Sequence, residues 1–277
     1  MMKRGRVLFK ASVWILSILS LLFCLFPYYI MLINSFKTQK ELFASTLSFP
    51  EMFLVLNYVR AIERMDLFTT LLNSLLITVF STVVIVLFGS MTGYALNRVK
   101  SRMSDVIFNI FLAAVLIPFQ SVMIPLVVTL ADIGILNTRV GMVFTYLGFG
   151  CSMCIFLVYG ALKSIPLSLD EAGIIDGAKR SQVFFRIIFP MLKPTMITSA
   201  VLNVLWIWND YLLPSLVINQ ENLHTIPLRL YYFFAEYTKE WNYAMAGLVL
   251  STAPVIVFYL FCQKYIIKGI SDGAIKQ

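Results

Sequence analysis

Charge is scarce in this chain of 277 residues. Lys and Arg number 22, Asp and Glu 14, and histidine occurs once. Only 13% of residues are charged while 60% are hydrophobic, and mean hydropathy is +0.85. A soluble domain carries about 25% charged and about 45–50% apolar residues, so an ordinary globule is excluded, and so is disorder. Catalytic equipment is missing as well. No Gly is followed by Lys, which removes the phosphate-cradling G-x-x-x-x-G-K loop, and neither H-E-x-x-H nor G-x-S-x-G occurs. His224 has no evident nucleophile beside it. Cysteines are four, all in apolar runs: Cys24, Cys151, Cys154 and Cys262. Cys151-x-x-Cys154 has the spacing of redox or metal sites. Its apolar setting, with the single histidine in another segment, favours packing thiols, and no metal site is predicted.

What the chain has is long uncharged runs. Residues 11–36, 67–97, 106–131, 140–162 and 241–263 contain no Asp, Glu, Lys or Arg, and 194–220 is broken only by Asp210. Each exceeds the ~20 residues that cross a bilayer's hydrocarbon core. The predicted spans are 12–35, 69–95, 106–127, 140–162, 195–217 and 243–263. The basic start followed by an apolar run resembles a secretory signal, but the run is too long and lacks a small-x-small cleavage site. It reads as an uncleaved first span. This is an all-α integral membrane protein with about six transmembrane helices.

The net charge of +8 is explained by its distribution rather than by nucleic acid. With the N-terminus placed inside, the inside segments hold 15 of the 22 basic residues but only 5 of the 14 acidic ones. That asymmetry is the positive-inside bias, and it predicts cytoplasmic termini. Gly89 and Gly93 give a small-x-x-x-small face for close helix packing, expected within the chain. Pro118 and Pro125 predict one kinked helix beside protein or a cavity. Asn109, Gln120, Asn203, Asn209 and Asp210 are the candidate pathway residues. Asp210 lies 17 residues past Lys193, ~25 Å along a helix. It fits either an outer-interface position among Trp206, Trp208 and Tyr211 or the lining of an outward cavity. No carboxylate–Lys or carboxylate–Arg relay of the proton-coupled kind is present.

The loop 163–194 is too structured for a linker. Ser168 and Glu171 have capping-box spacing, Asp170 and Glu171 put negative charge at a helix start, and Gly177 fits a left-handed stop. Ser181 is placed to cap a second helix, Gln182 to Phe189, which Pro190 ends. Helices of about two turns do not stand alone. Their apolar residues (Leu169, Ala172, Ile175, Phe184, Phe185 and Ile188) must pack, either on the ends of the spans or on another protein.

The order E-A-x-x-x-D-G-A followed by F-x-x-I-x-x-P, from Glu171 to Pro190, closely resembles the signature loop of permease subunits of ATP-binding-cassette (ABC) importers. Ile165-Pro166 and Pro194 also match. So do Trp208-Asn209-Asp210-Tyr211-Leu212-Leu213-Pro214 and the tail from Gln263 to Lys276. The likeness runs the whole length of the chain and is greatest to the carbohydrate-uptake class, typified by maltose-transporter permeases. Departures are small: Gly173 stands where Ala is usual, and Phe189 where Leu is usual.

The resemblance implies a single permease domain over 1–277, with 163–194 as a cytoplasmic coupling loop in a bacterial inner membrane. By that likeness Glu171, Ala172, Asp176, Gly177 and Ala178 dock on an ATPase, supported by Pro166, Ser168, Phe184 and Pro190. The implied partners are a second homologous permease, two ATPase subunits, an extracytoplasmic sugar-binding protein and membrane lipid, with no nucleic acid. The chain would bind no cofactor itself, ATP-Mg being used by the ATPases. Residues 268–276 would reach between those ATPases, and the 210–240 segment would face the binding protein. The implied cargo is a sugar, an oligosaccharide in the first place, with glycerol phosphate as an alternative. A stand-alone secondary transporter or channel is the competing class. It needs a coupling-ion site or an internal repeat, and the sequence shows neither.

Overall fold

The structure, a computed structural model, describes the backbone of residues 2–236 and 240–274 and the side chains of residues 9–10, 12–234 and 240–264. Among these residues every long element is a helix and there is no strand. In chain order they are α1 (Met2–Asn34), α2 (Gln39–Ala44), α3 (Leu56–Met65), α4 (Leu67–Arg98), α5 (Arg102–Leu116), α6 (Phe119–Asp132) and α7 (Arg139–Leu162). There follow α8 (Ser168–Ile175), α9 (Arg180–Met191), α10 (Lys193–Asn209), α11 (Leu212–Val217), α12 (Ile226–Glu236) and α13 (Trp241–Ala274). Among the described residues four stretches are long and apolar enough to cross a membrane: Ser12–Asn34, α4, α7 and Trp241–Lys264. Two bent pairs, α5 with α6 and α9 with α10, raise the number to six if each is one broken span.

Two predicted spans are more broken than their hydropathy suggests. The third is not one kinked helix: α5 and α6 meet at 106°. Ile117, held extended (ψ 120°) by the following Pro118, ends α5. Pro125 is carried inside α6. The fifth, expected to run from 195 to 217, stops at Asn209. Asp210 is extended (φ −79°, ψ 127°), and α11 starts afresh two residues later. Hydropathy cannot register such breaks, since the residues on both sides are equally apolar.

The chain divides into two compact units, residues 1–67 with 230–254 and residues 68–229 with 255–277. In the first, Met65, Phe233 and Ala244 form the core, and Arg64 pairs with Glu240. The turn after α1 is held by polar groups. Asn57 Nδ2 donates to the carbonyls of Ser35 (2.9 Å) and Lys37 (2.8 Å), while Asn242 Nδ2 donates to Asn57 Oδ1 (3.0 Å). Lys37 is fully buried and donates to the Ser45 carbonyl at 2.8 Å. That burial lowers its pKa, partly offset by Glu41.

In the second unit α5 and α10 pack on α7, around a core that includes Ile77, Ile85, Tyr146, Val158 and Leu162. The predicted close helix contact is present within the chain. A Cβ at Gly89 would come 2.7 Å from Cys154 Sγ, and one at Gly93 would come 3.0 Å from Val158. Cys154 is thus a packing thiol, and all four cysteines are free. At the other end of α4, Asn73 is fully engaged. Its Oδ1 accepts from Arg139 Nη2 (2.8 Å) and Nε (3.0 Å), and its Nδ2 donates to the carbonyls of Asn222 (2.9 Å) and His224 (3.1 Å). Ser74 Oγ accepts from the N–H of Ile226 at 2.8 Å. Two polar residues of a span therefore hold the 222–226 segment.

Candidate functional site: the 163–192 loop

The loop begins at Ile165-Pro166. The fixed φ of proline suits a first helical turn, and the Pro166 carbonyl already accepts from the N–H of Leu169 at 3.3 Å. Leu167 is consequently helical (φ −63°, ψ −28°) and takes the cap position without a side-chain bond. The predicted Ser168–Glu171 capping box does not form. A capping side chain needs extended backbone, and Ser168 sits one residue inside the helix. Asp170 and Glu171 do fall in the first turn, at the positive end of α8.

Those two neighbouring carboxylates face opposite ways. Glu171 is exposed, whereas Asp170 is buried. Tyr94 Oη donates to Asp170 Oδ1 at 2.6 Å, and Arg98 Nη2 lies 3.0 Å from Asp170 Oδ2. The same Nη2 donates to the Ile165 carbonyl (3.1 Å), and Asn97 Nδ2 donates to the carbonyl of Tyr159 (3.2 Å). The last turn of α4 thus grips the root of the loop. Sequence reasoning treated Asp170 only as a helix-end charge. The available signal was Tyr94 and Arg98, four residues apart and so on one helix face, at the end of an apolar span.

Gly177 ends α8 as predicted, at φ +85°. The N–H of Ala178 bonds the Gly173 carbonyl (3.0 Å) and that of Gly177 bonds the Ile174 carbonyl (2.9 Å). This is the paired Schellman arrangement that satisfies the last carbonyls of a helix. Gly173 is buried where the two loop helices cross. A Cβ there would come 2.9 Å from Ile187 and 3.0 Å from Val183, which accounts for a glycine where alanine is usual.

The second loop helix differs from expectation at both ends. Its cap is Lys179, extended at φ −69° and ψ 153°, whose N–H is taken by Gln182 Oε1 at 2.8 Å. Ser181 is already inside the helix. Nor does Pro190 end it. Residues Phe184–Ile188 form a π turn, and the helix continues to Met191 before bending 76° into α10. The wider turn, closed by the Phe189 N–H on the Phe184 carbonyl, lets the chain carry a residue with no N–H to give.

Packing divides the loop's apolar residues. Phe184 and Ile188 are buried, Phe184 lying 5.0 Å from the Tyr94 ring, and Leu169 packs on the same core. Ala172, Ile174, Ile175 and Phe185 remain exposed, Ile175 at 84%. One set is packed inward on the ends of the spans, and the other forms an uncovered face. Glu171, Asp176 and Gly177 lie on the exposed side, Ala178 is half-buried, and Pro166, Ser168 and Pro190 are exposed.

The five candidate pathway residues lie on three helices and in the break after the third. Asn109, Gln120 and Asn209 are exposed, on α5, α6 and α10. Asn203 is buried and donates to its own helix at Ser199 (2.8 Å). Asp210 is half-buried: it accepts from Tyr146 Oη (3.1 Å) and from the N–H of Leu212 (3.0 Å) at the start of α11. The side chains of 268–276, expected to meet the ATPases, lie outside the described residues.

Comparison with known proteins agrees with this architecture. The family profile described as "Binding-protein-dependent transport system inner membrane component" matches residues 85–272. The chain is 54% identical to the "Probable starch degradation products transport system permease protein AmyC" of Thermoanaerobacterium thermosulfurigenes, over 94% of each chain. It is 34% identical to the multiple sugar-binding transport system permease protein MsmG of Streptococcus mutans, over 91% of this chain and 92% of that one. The fold is that of a crystal structure of a bacterial ABC transporter that imports alginate. The TM-score is 0.79 at 24% identity, over 94% of this chain and 96% of that one. A multi-pass helical chain, matched along its length to sugar permeases, is thereby placed: it belongs to the family of binding-protein-dependent transport system inner membrane components, as a permease subunit of an ABC importer.

Proposed function

We propose that this subunit, paired with a second homologous permease, forms the pathway for an oligosaccharide released from starch. Its 163–192 loop is the coupling element seated on a cytoplasmic ATPase dimer. The observation that carries the coupling role is the two-sided build of α8. One side is anchored through Asp170 and Gly173, and the other leaves Ala172, Ile174 and Ile175 uncovered between Glu171 and Asp176. A short helix exposing isoleucines outside the bilayer needs a partner groove, and an anchored helix transmits that partner's motion. Glu171, Ala172, Asp176, Gly177 and Ala178 make the docking surface. The substrate class follows the starch-product permease at 54% identity, and a neutral sugar suits spans with so few fixed charges.

In this reading both termini and the loop are cytoplasmic, and an extracytoplasmic binding protein delivers the sugar. ATP-Mg is used by the ATPase partners, this chain binding no cofactor of its own. The deciding experiment is reconstitution of the two permeases and the ATPases in proteoliposomes, with the binding protein supplied outside. A partial amylase digest of starch serves as the substrate mixture. Accumulation of maltodextrins should require both ATP and the binding protein. Accumulation by this chain alone, without ATP, would return it to the secondary transporters.

A further inference from the structure

We propose that Tyr94, Arg98 and Asp170 form the joint through which movement of the coupling loop is passed to the α4 span. The proposal rests on the coupling role given above and adds the residues that perform it on the permease side. Asp170 occupies the first turn of α8 but points away from the docking surface, its side chain only 7% exposed. Arg98 is the last residue of α4 and its side chain is 13% exposed. Removing one partner of a buried pair leaves an uncompensated charge, so pulling the two apart is opposed more strongly than moving both together. The Arg98 guanidinium also holds the Ile165 carbonyl, on the loop side of the same junction. One cation thereby fixes both the entrance to the loop and the first turn of its helix.

The pair is only partly made. Arg98 Nε and Asp170 Oδ2 are both buried without a hydrogen-bond partner, although the guanidinium and carboxylate lie 3.0 Å apart. A modest rotation bringing the planar groups edge to edge would satisfy both atoms at once. Tyr94, one turn earlier on α4, holds the other carboxylate oxygen and gives such a rotation a pivot. The joint therefore has a second, better-bonded arrangement within reach, as an element that switches between two states requires.

The test uses the complete importer with its binding protein, reading maltodextrin imported per ATP hydrolysed and ATPase subunits retained on purification. Asp170→Asn should keep the ATPases bound and hydrolysing while sugar imported per ATP falls about tenfold, a coupling loss of ordinary allosteric size. Asp170→Glu, which restores the charge on a longer stem, should recover part of that loss. Tyr94→Phe, which spares both charges, should lower the ratio about threefold, and it decides the matter if Asp170→Asn does not accumulate in the membrane. An unchanged ratio in the variants that accumulate overturns the joint. So does a parallel fall of uptake, hydrolysis and ATPase retention, because the residues would then merely shape the loop for docking. Failure of the coupling role itself looks different: the unmodified importer would retain no ATPase through this loop, or would transport without ATP.

Discussion

At Gly177 a single φ of +85° decides where a helix stops and what it presents. A β-branched residue is strained there, by about 1–3 kcal/mol, although a Cβ would meet nothing within 4 Å. The penalty is conformational rather than steric. Gly177→Val should therefore leave insertion of the spans intact while weakening retention of the ATPases and lowering uptake. Membrane yield, co-purification and uptake measured on one preparation check this. Gly177→Asn should be milder, since Asn tolerates left-handed backbone. His224 offers a second residue-level prediction. It is 3% exposed, and burial together with Arg229 lowers its pKa, with Glu221 opposing. A base whose folded pKa lies below its unfolded value binds fewer protons when folded. Its burial is tolerated fully above about pH 6.5, and stability is lost as pH falls below that value towards the lowered pKa. Melting temperatures of detergent-solubilised protein across pH 5–8 should fall on acidification, and less steeply in His224→Gln. Equal slopes would show that another group governs the acid limb.

Among the elements, α4 and α7 approach closely. Cys154 Cβ and Sγ would each lie 2.7 Å from a Cβ at Gly89, so even Ala must force the two helices to shift. Gly89→Val should lower membrane yield and melting temperature, overpacking costing about 1–3 kcal/mol, and Cys154→Gly in the same chain, which removes both close atoms, should recover part of the loss. Recovery is measured as the difference between single and double variants; independent losses would argue against direct contact. This contact was legible in the sequence because small residues four apart leave a mark. So were the six apolar runs and the Gly177 stop, each written in residue type at fixed spacing. The helix starts at 167–168 and 179–180 were not. Ser168 and Ser181 are good caps by type, but the turn set by Pro166 and the extended Lys179 place the boundaries one or two residues earlier. Asp170 was missed for another reason. Its partners are 72 and 76 residues away, and spacing along a chain says nothing about a contact made across a fold.

For the molecule as a whole, the distribution of charge predicts orientation. Loops 98–105 and 163–193 carry eight of the basic residues against four acidic ones, which predicts that they face the cytoplasm. A cysteine placed at exposed Ser181, in a chain cleared of its own four, should resist impermeant maleimide in sealed cells. One in the 219–223 segment should react. Labelling of Ser181→Cys from outside would reverse the topology and remove the loop from any cytoplasmic ATPase.

The π turn at Phe184–Ile188 makes the length of this segment as consequential as its side chains. A π turn is an α-helix holding one residue too many. Deleting one residue there would restore an ordinary helix and leave its two ends at nearly the same angle, because the wider turn spends five residues on about the rotation that an α-helix gives to four. The ordinary turn at Arg180–Val183 has no such slack, and losing one residue there would turn Glu171 and Ile175 by about 100° about the helix axis while every remaining side chain kept its chemical identity. The loop is therefore indexed to its span like a key cut to one angle. A one-residue deletion in 180–183 should therefore disable uptake more completely than one in 184–188, and uptake by the two deletion variants side by side checks it.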